Sequence, residues 1–302
     1  MIERRVELDF VPDIARTLSA LRLGRRDATA SIDRRGGMWR ATRTPDGAAT
    51  VHLAADASEP NVVVARGWGP GAAWVLERAG DWVGASDDTS TFDPSSHPVV
   101  ARAARAMPGY RVPRTDRVLD MLVPTILSQK VTGLEAKRSW SALVRGAREP
   151  APGPPGLLLP PAAEWLARLP DHVFHRANVE RKRASTIRAA ARHAARLEEG
   201  AALGSDVLRS RLAAIPGIGP WTIAEVTYVA TGDADAVSVG DYHLPNAVAW
   251  ALAGIPRGDD ELMLELLAPF APHRGRVARL IESTGGAPRY GPRLEARSIA
   301  RL

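Results

Sequence analysis

The 302-residue sequence contains no cysteine. That absence excludes disulfides, thiol nucleophiles, cysteine-bound zinc and iron–sulfur clusters. Histidine is scarce as well: there are seven, and none forms an HxxxH or HExxH pair, which argues against a metal enzyme. No apolar run approaches the roughly 20 residues that span a bilayer, and the N-terminus lacks the apolar core of a signal peptide. We expect a cytoplasmic, nucleoid-associated protein.

Lysine is the next scarce residue type. The three lysines are Lys130, Lys137 and Lys182, which leaves 37 of the 40 basic residues to arginine. The formal net charge is +6 and the pI is near 10.2, which points to a polyanionic partner. Arginine binds phosphate with a planar fork, so the bias is compatible with nucleic-acid binding. A GC-rich genome would enrich arginine equally, and composition alone leaves both explanations open.

The hydrophobic pattern changes near residue 95. Before it, alternating segments separated by turn residues predict a small antiparallel-sheet domain over residues 1–95, with two helices. After it, the 3.6-residue period predicts a mainly helical domain over residues 96–302, and the whole chain is of the α+β class. The predicted strands lie near residues 6–10, 27–32, 38–43, 48–53 and 61–65. The predicted helices are residues 12–23, 71–78, 98–107, 116–130, 132–147, 161–168, 179–198, 206–214, 221–230, 242–252, 259–268 and 273–283.

Two segments of the helical region stand out by composition. Residues 149–156 are rich in proline and glycine and predict an exposed loop. The predicted helix 179–198 is strongly basic, and a solvated face is favoured over a DNA-binding one. Its arginines are Arg181, Arg183, Arg188, Arg192 and Arg196.

The most informative stretch runs from Leu212 to Thr222 and predicts a hairpin between two helices, over residues 211–230. Gly217 and Gly219 flank Ile218 in Ile-Pro-Gly-Ile-Gly-Pro-Trp-Thr. Glycine permits a positive φ and a close approach of another backbone. The amides at the start of the second helix would then form a phosphate seat without a basic side chain.

With this hairpin the sequence resembles the helix-hairpin-helix (HhH-GPD) base-excision DNA glycosylases, and within them 3-methyladenine DNA glycosylase II. Leu8-Asp9-Phe10 is similar to the opening strand of that family's N-terminal domain. Residues 108–113 (Pro-Gly-Tyr-Arg-Val-Pro) with Ile126-Leu127-Ser128-Gln129 resemble its central helix. Pro272-His273-Arg274 resembles its C-terminal Pro-x-Arg segment. The hairpin with a downstream aspartate is the specific part of the resemblance.

The resemblance implies a catalytic carboxylate about twenty residues beyond the hairpin, and Asp241 occupies that place. Asp233 and Asp235 are rivals, but their Gly-Asp-Ala-Asp-Ala context is typical of a surface turn. Without the resemblance, Asp241 would be equally well explained as a helix N-cap. A fixed carboxylate stabilises the positive charge that develops on the sugar during N-glycosidic cleavage. The base must first be flipped out of the duplex.

The same resemblance suggests the residues around the base. Gln129 and Trp221 are candidate base-pocket residues, although core packing is an alternative for Trp221. Glu225 and Glu282 stand where related enzymes carry aromatic side chains; the sequence leaves open whether they face the pocket. If they do, charge rather than π-stacking would attract a cationic base. Lys130 stands where relatives insert a side chain into the emptied stack, and it could instead meet a phosphate.

Candidate DNA contacts are Lys130, Gly217, Ile218, Gly219, Trp221 and Thr222. No cofactor is required by the chemistry. The family's hairpin commonly holds a monovalent cation, Na⁺ or K⁺, and the matching carbonyls here would be those of Ala213, Ile215 and Ile218. Some relatives use a hairpin lysine as a Schiff-base nucleophile; Trp221 stands at that position in this chain.

These observations predict a monofunctional DNA glycosylase that acts as a monomer on duplex DNA, removes alkylated purines such as 3-methyladenine and 7-methylguanine, and leaves an abasic site. One alternative is a glycosylase for a different or bulky lesion, which Glu225 and Glu282 motivate. Another is a hairpin protein that binds damaged DNA without catalysis. A nuclease is disfavoured because the sequence lacks the acidic metal cluster that phosphodiester cleavage needs.

Overall fold

The computed structural model describes residues 1–285, 288 and 295–297. Its N-terminal part is a five-stranded antiparallel sheet with the strand order β1-β5-β4-β3-β2. All five predicted strands are present, and the expected α+β class is confirmed. The strands are β1 Ile2–Glu7, β2 Ala30–Ile32, β3 Met38–Thr44, β4 Gly47–Ala55 and β5 Val62–Trp68.

The first strand lies earlier than predicted. It ends at Glu7, so Leu8-Asp9-Phe10, the segment taken to resemble the opening strand, follows the strand instead of forming it. The N–H of Leu8 still bonds to the carbonyl of Asn61 at 3.0 Å. The side-chain amide of Asn61 then caps the carbonyl of Leu8 at 3.1 Å, in place of a further ladder bond. The chain therefore leaves the sheet at this point.

The predicted helix 12–23 and strand 27–32 are both shorter in the structure. The helix is reduced to α1 Ile14–Thr17 and a 3₁₀ turn Ser19–Leu21, and the strand to Ala30–Ile32. The carboxylate of Asp27 accepts hydrogen bonds from the N–H groups of Leu23 and Thr29. This local turn competes with both regular elements.

Helices dominate the rest of the described chain. The second predicted N-terminal helix is present as α2 Ala72–Glu77 and continues as α3 Ala79–Trp82. The remaining helices are α4 Pro98–Ala106, α5 Leu119–Ser128, α6 Gly133–Ala147, α7 Ala163–Arg168, α8 Asp171–Arg176, α9 Arg181–Arg192, α10 Ala194–Leu203, α11 Ser205–Ala213, α12 Pro220–Ala230, α13 Leu244–Ala253, α14 Asp260–Leu267 and α15 Arg274–Thr284, with 3₁₀ turns at Pro94–Ser96 and Ala268–Phe270.

The basic segment 179–198 was predicted as one helix. In the structure it forms α9 and part of α10, which are separated at His193. Nor is its face uniformly solvated. Arg183 is buried and donates to the carbonyl of Leu127 at 2.8 Å. Arg188 donates to the carbonyl of Leu169 at 3.0 Å and pairs with Asp171. The short helix α8, which carries Asp171, was missed because six residues show too little periodicity.

The Pro-rich segment 149–156 contains no helix, as expected. Its tip is exposed, while its flanks pack against the sheet: Leu157 and Leu159 form a buried cluster with Ala41 of β3. Arg43 donates to the carbonyl of Pro160 at 2.8 Å. Within the part of the chain that is described, no helix has the length and apolar character of a membrane span.

Two hydrophobic clusters position the segment that carries Asp241. The larger one contains residues from both sides of the predicted 95/96 boundary, which itself stays a prediction; Val51 of β4 and Leu122 of α5 both belong to it. The smaller cluster lies among α4, α13, α14 and α15. Ala236 belongs to the larger cluster, whereas Val237 and Val239 pack against the smaller one. The chain therefore crosses between the two clusters just before Asp241.

Candidate active site

The predicted hairpin is formed by α11 and α12 and the turn between them. Gly217 has a φ of +92°, and a Cβ built on it would lie 2.1 Å from the Thr186 hydroxyl of α9. Both facts require glycine at this position. Ile215 and Ile218 are buried and anchor the turn. Gly219 precedes α12, and a Cβ there would meet no atom within 4 Å, so this side of the turn is open.

Gln129 braces this turn from the end of α5. Its side-chain nitrogen donates to the carbonyl of Gly217 at 3.0 Å and to the hydroxyl of Thr222 at 2.9 Å. The carbonyl can only accept, so the NH₂ group must face the hairpin. Lys130 follows with an exposed side chain and a φ of +54°. The structure thus places Gln129 and Lys130 beside the hairpin, while their roles toward base and DNA stay predictions.

Asp241 lies three residues before α13 with both carboxylate oxygens engaged. Oδ1 accepts from the N–H of His243 at 2.7 Å and from that of Leu244 at 2.8 Å. Oδ2 accepts from the indole Nε1 of Trp221 at 2.9 Å. The backbone bonds come from the start of a helix, where the dipole favours a negative charge. The N-cap residue of α13 is His243, and Asp241 accepts the N–H groups of that residue and the next while it also contacts the hairpin's second helix.

Trp221 is half-buried, at the first turn of α12, and is not part of the closed core. Its N–H holds Asp241, which gives the indole a positioning contact that the sequence did not reveal. The predicted stacking of Trp221 on a base stays a prediction.

The rival aspartates are both engaged by arginines. Asp233 was placed on a surface turn, but its side chain is 9% exposed and pairs with Arg209; burial raises its pKa. Asp235 pairs with Arg274, which belongs to the Pro-x-Arg segment, with Nε to Oδ1 at 2.9 Å. Burial alone would raise the pKa of Asp235, but the bonds from Arg274 lower it overall. Within the described part of the chain, Asp241 is the one of these three aspartates that has no arginine partner.

Glu225 and Glu282 are brought together by a third residue, Arg279 of α15. Its guanidinium pairs with Glu225 and, at 3.0 Å, with Glu282. The hydroxyl of Ser238 also donates to Glu225. The side chains are 19%, 27% and 37% exposed for Glu225, Arg279 and Glu282. We call Glu225, Arg279 and Glu282 the charged wall.

The charged wall is electrostatically linked to Asp241. Loss of water around Glu282 raises its pKa, as do the nearby carboxylates of Glu225 and Asp241, against the opposite effect of Arg279. Burial would lower the pKa of Arg279, but Glu225 and Glu282 raise it overall. Glu225 and Glu282 therefore share one guanidinium, and the charge of Asp241 lies close enough to act on Glu282.

Sequence reasoning missed Arg279 of the charged wall and three residues next to the wall: Ser238, Tyr228 and Tyr110. The Arg279 guanidinium lies 5.3 Å from the centre of the Tyr228 ring. The Tyr228 hydroxyl meets that of Tyr110 at 2.5 Å, and burial raises the pKa of both phenols. The spacing of three between Arg279 and Glu282 on a helix was a usable signal for their pairing; the tyrosine contact had none.

The proposed cation ligands are backbone carbonyls on the same hairpin. Ala213 is exposed and ends α11, whereas the Ile215 carbonyl accepts the N–H of Ile218 at 3.1 Å. A carbonyl has two lone pairs, so this bond is compatible with a cation but does not call for one. Across the described ranges, no group of three or more His, Asp or Glu side chains is arranged to hold a metal ion.

Comparison with known proteins adds sequence and fold relationships. No family model matches the chain. Over 157 residues, half of this chain, it is 32% identical to a Mycobacterium tuberculosis protein described as a probable bifunctional transcriptional activator/DNA repair enzyme AlkA. The match covers 30% of that protein, so the chain corresponds to less than a third of its length.

Two solved structures share the fold over almost the whole chain. A 3-methyladenine DNA glycosylase from Archaeoglobus fulgidus has a TM-score of 0.79 at 16% identity, covering 92% of this chain and 97% of the other. An 8-oxoguanine glycosylase/lyase from Clostridium acetobutylicum has a TM-score of 0.70 at 12% identity, covering 93% and 96%. The resemblance read from the hairpin is thus confirmed at the level of fold: the chain has the fold of these two DNA glycosylases.

Proposed function

We propose that this protein is a monofunctional DNA glycosylase that hydrolyses the N-glycosidic bond of alkylated purines of the 3-methyladenine and 7-methylguanine class. Its substrate is duplex DNA, the damaged base is flipped out of the helix, and an abasic site remains. The protein acts as a monomer in the cytoplasm, needs no cofactor, and has a hairpin that accepts Na⁺ or K⁺ at the carbonyls of Ala213, Ile215 and Ile218.

One observation carries this proposal: Asp241 is held by the indole of Trp221 of the hairpin's second helix and has no arginine partner among the residues that the structure describes. Departure of the base leaves positive charge on the sugar, and a carboxylate close to the anomeric carbon stabilises that charge. The same group can orient the attacking water. A base already made cationic by alkylation is a good leaving group, so a strong general acid is dispensable.

The monofunctional assignment rests on the lysines. A lyase step needs an amine near the sugar to form a Schiff base. Trp221 occupies the hairpin position where some relatives carry that lysine. Lys182 is exposed at the start of α9, Lys137 lies with its alkyl chain against Gly24, and Lys130 follows Gln129.

The test is base release from methylated duplex DNA by the wild type and by Asp241→Asn. Asparagine keeps an oxygen for the two backbone N–H groups but loses the charge, so we expect release to fall at least about 100-fold, with DNA binding retained. Asp206→Asn, which changes an exposed carboxylate on α11, is the matched control and should release bases at the wild-type rate.

Three outcomes would contradict the proposal. Equal release by the wild type and Asp241→Asn would remove Asp241 from the chemistry. Covalent trapping of the wild type on DNA by borohydride would contradict the monofunctional assignment. Binding without release of any base would favour the alternative of a non-catalytic damage-binding protein.

A different lesion is the second candidate function, and the charged wall is what favours it. Glutamates replace the aromatic side chains expected around an alkylated base. A panel of lesion-containing oligonucleotides, including deaminated and bulky bases, separates this candidate from the first.

A further inference from the structure

Three segments of the chain bring charged groups to the same place. Helix α12 contributes Trp221 and, one turn later, Glu225. The segment before α13 contributes Ser238, which bonds to Glu225, and Asp241, which bonds to Trp221. Helix α15 contributes Arg279 and Glu282. Helix α12 and the segment before α13 therefore support both the charged wall and Asp241.

The carboxylates of the wall have oxygens to spare. Oε1 of Glu225 takes both the Ser238 hydroxyl and the Arg279 guanidinium, and Oε2 of Glu282 takes the other arm of Arg279. Among the residues that the structure describes, Glu225 Oε2 and Glu282 Oε1 have no hydrogen-bond partner. A carboxylate oxygen accepts hydrogen bonds and cannot donate them when ionised. The wall thus offers two acceptors on partly exposed side chains.

The charge of the site is negative even with Arg279 in place. Of these described side chains, Asp241, Glu225 and Glu282 carry three formal negative charges and Arg279 one positive charge, so an excess of two negative charges remains when all are ionised. In a site with restricted water, such an excess attracts a cation more strongly than it would in bulk solvent. A neutral base gains nothing from this electrostatic attraction.

We propose that Arg279 is a positioning residue that clamps Glu225 and Glu282 so that their open oxygens read the N–H groups of a flipped, positively charged purine. This inference deepens the proposed glycosylase function and rests on it. The base is then selected by two of its properties instead of by aromatic stacking. These properties are a positive charge and adjacent N–H donors on one edge.

A 7-alkylated guanine meets both criteria, since it is cationic in DNA and presents its N1–H and its exocyclic amino group side by side. An 8-oxoguanine keeps these donors but is neutral. A 1,N⁶-ethenoadenine is neutral, and its amino group has been consumed by the added ring. These three bases separate the effect of charge from that of hydrogen bonding.

The experiment measures single-turnover release of the three bases from otherwise identical duplexes. We expect the wild type to prefer 7-methylguanine, then 8-oxoguanine, then ethenoadenine. Glu225→Gln and Glu282→Gln should each lower the preference for 7-methylguanine over ethenoadenine about tenfold or more, corresponding to one lost hydrogen bond to a charged group. Arg279→Lys, which cannot hold two carboxylates in one planar fork, should lower it as well.

Glu265→Gln on α14 is the matched control, because it changes an exposed glutamate outside the wall and should leave the preference unchanged. Thermal melting of each variant excludes unfolding as the cause, and selectivity is a ratio that a partial loss of folded protein does not move. A wild type that releases bases, combined with unchanged selectivity in both glutamine variants, overturns this inference alone. A wild type that releases no base overturns the proposed function together with it.

Discussion

Two arginines three residues apart on α15 form ion pairs with opposite consequences. Arg276 pairs with Asp87 through both arms of its guanidinium, and each side chain is 2% exposed. Asp87 also accepts the N–H of Val112 at 2.9 Å. Arg279, by contrast, pairs with two carboxylates that are partly exposed. We call Arg276 and Asp87 the buried joint.

The buried joint and the charged wall differ in their exposure to water and in the number of carboxylates for each guanidinium. In the buried joint one carboxylate meets one guanidinium and a backbone N–H, so both of its oxygens are engaged and shielded from solvent. In the charged wall two carboxylates meet one guanidinium in contact with solvent, and two of their oxygens have no partner among the described residues. A buried pair matters because breaking it strands a charge away from water. A partly exposed pair contributes little to folding, and it is free to serve recognition.

The largest expected effect comes from breaking the joint. Asp87→Ala leaves the buried guanidinium of Arg276 without its anion, and we expect the free energy of unfolding to fall by about 3–5 kcal/mol. Urea denaturation measures it. Glu225→Gln should cost less than about 1 kcal/mol, and a surface change such as Glu265→Ala should stay within about 0.5 kcal/mol. Equal losses in the joint and the wall would erase the distinction between them.

The two hairpin glycines differ in a similar way, because one is closely packed and the other is open. Gly217 is packed against Thr186 at a positive φ, whereas Gly219 opens onto free space. We expect Gly217→Ala to cost about 1–3 kcal/mol of stability and Gly219→Ala less than about 1 kcal/mol. Denaturation and DNA-binding titrations should be run together. A Gly219→Ala protein that stays folded but loses affinity for DNA would assign its open face to the phosphate seat, whereas unaltered affinity would speak against that seat.

The smallest effect is a pH dependence of stability from Glu282. Its pKa is raised above the usual 4.5 in the folded protein, so the fold holds this proton more tightly than the unfolded chain does. Ionisation therefore costs stability, and the cost grows as pH rises from 4.5 through the raised pKa. Glu282→Gln removes that cost. Melting temperatures should show the variant gaining on the wild type as pH rises, and a variant that loses ground would contradict the raised pKa.

The sequence pattern predicted helices and strands well where the periodic hydrophobic stretch was long. The five strands and the hairpin helices are present, because alternation and the flanking glycines are local signals. It failed at Asp27 and Asn61, whose side chains bond to backbone groups and end regular structure. The Asp27 bonds are local and the Asn61 bond joins distant residues, but both involve polar side chains, so the hydrophobic period does not record either of them.

The candidate site divides in the same way. The position of Asp241 after the hairpin was readable from a motif, and the structure places it against Trp221. The partner of Glu225 was not readable, because Arg279 lies 54 residues further along the chain. Asp233 was wrongly predicted to lie on the surface for a related reason. Its sequence neighbours are turn residues, but in the structure its side chain is largely buried and pairs with Arg209. Long-range ion pairs are what the sequence pattern cannot supply.

The three donors around Asp241 have a consequence for the timing of the proposed reaction. Two backbone N–H groups and one indole N–H fix the rotamer of the carboxylate before any DNA arrives. The entropic cost of orienting it is met during folding, and the negative charge needs no reorganisation when the sugar becomes cationic. For this carboxylate the protein is a rigid template. In the proposed reaction, the adjustment that brings sugar and charge together is therefore made by the DNA.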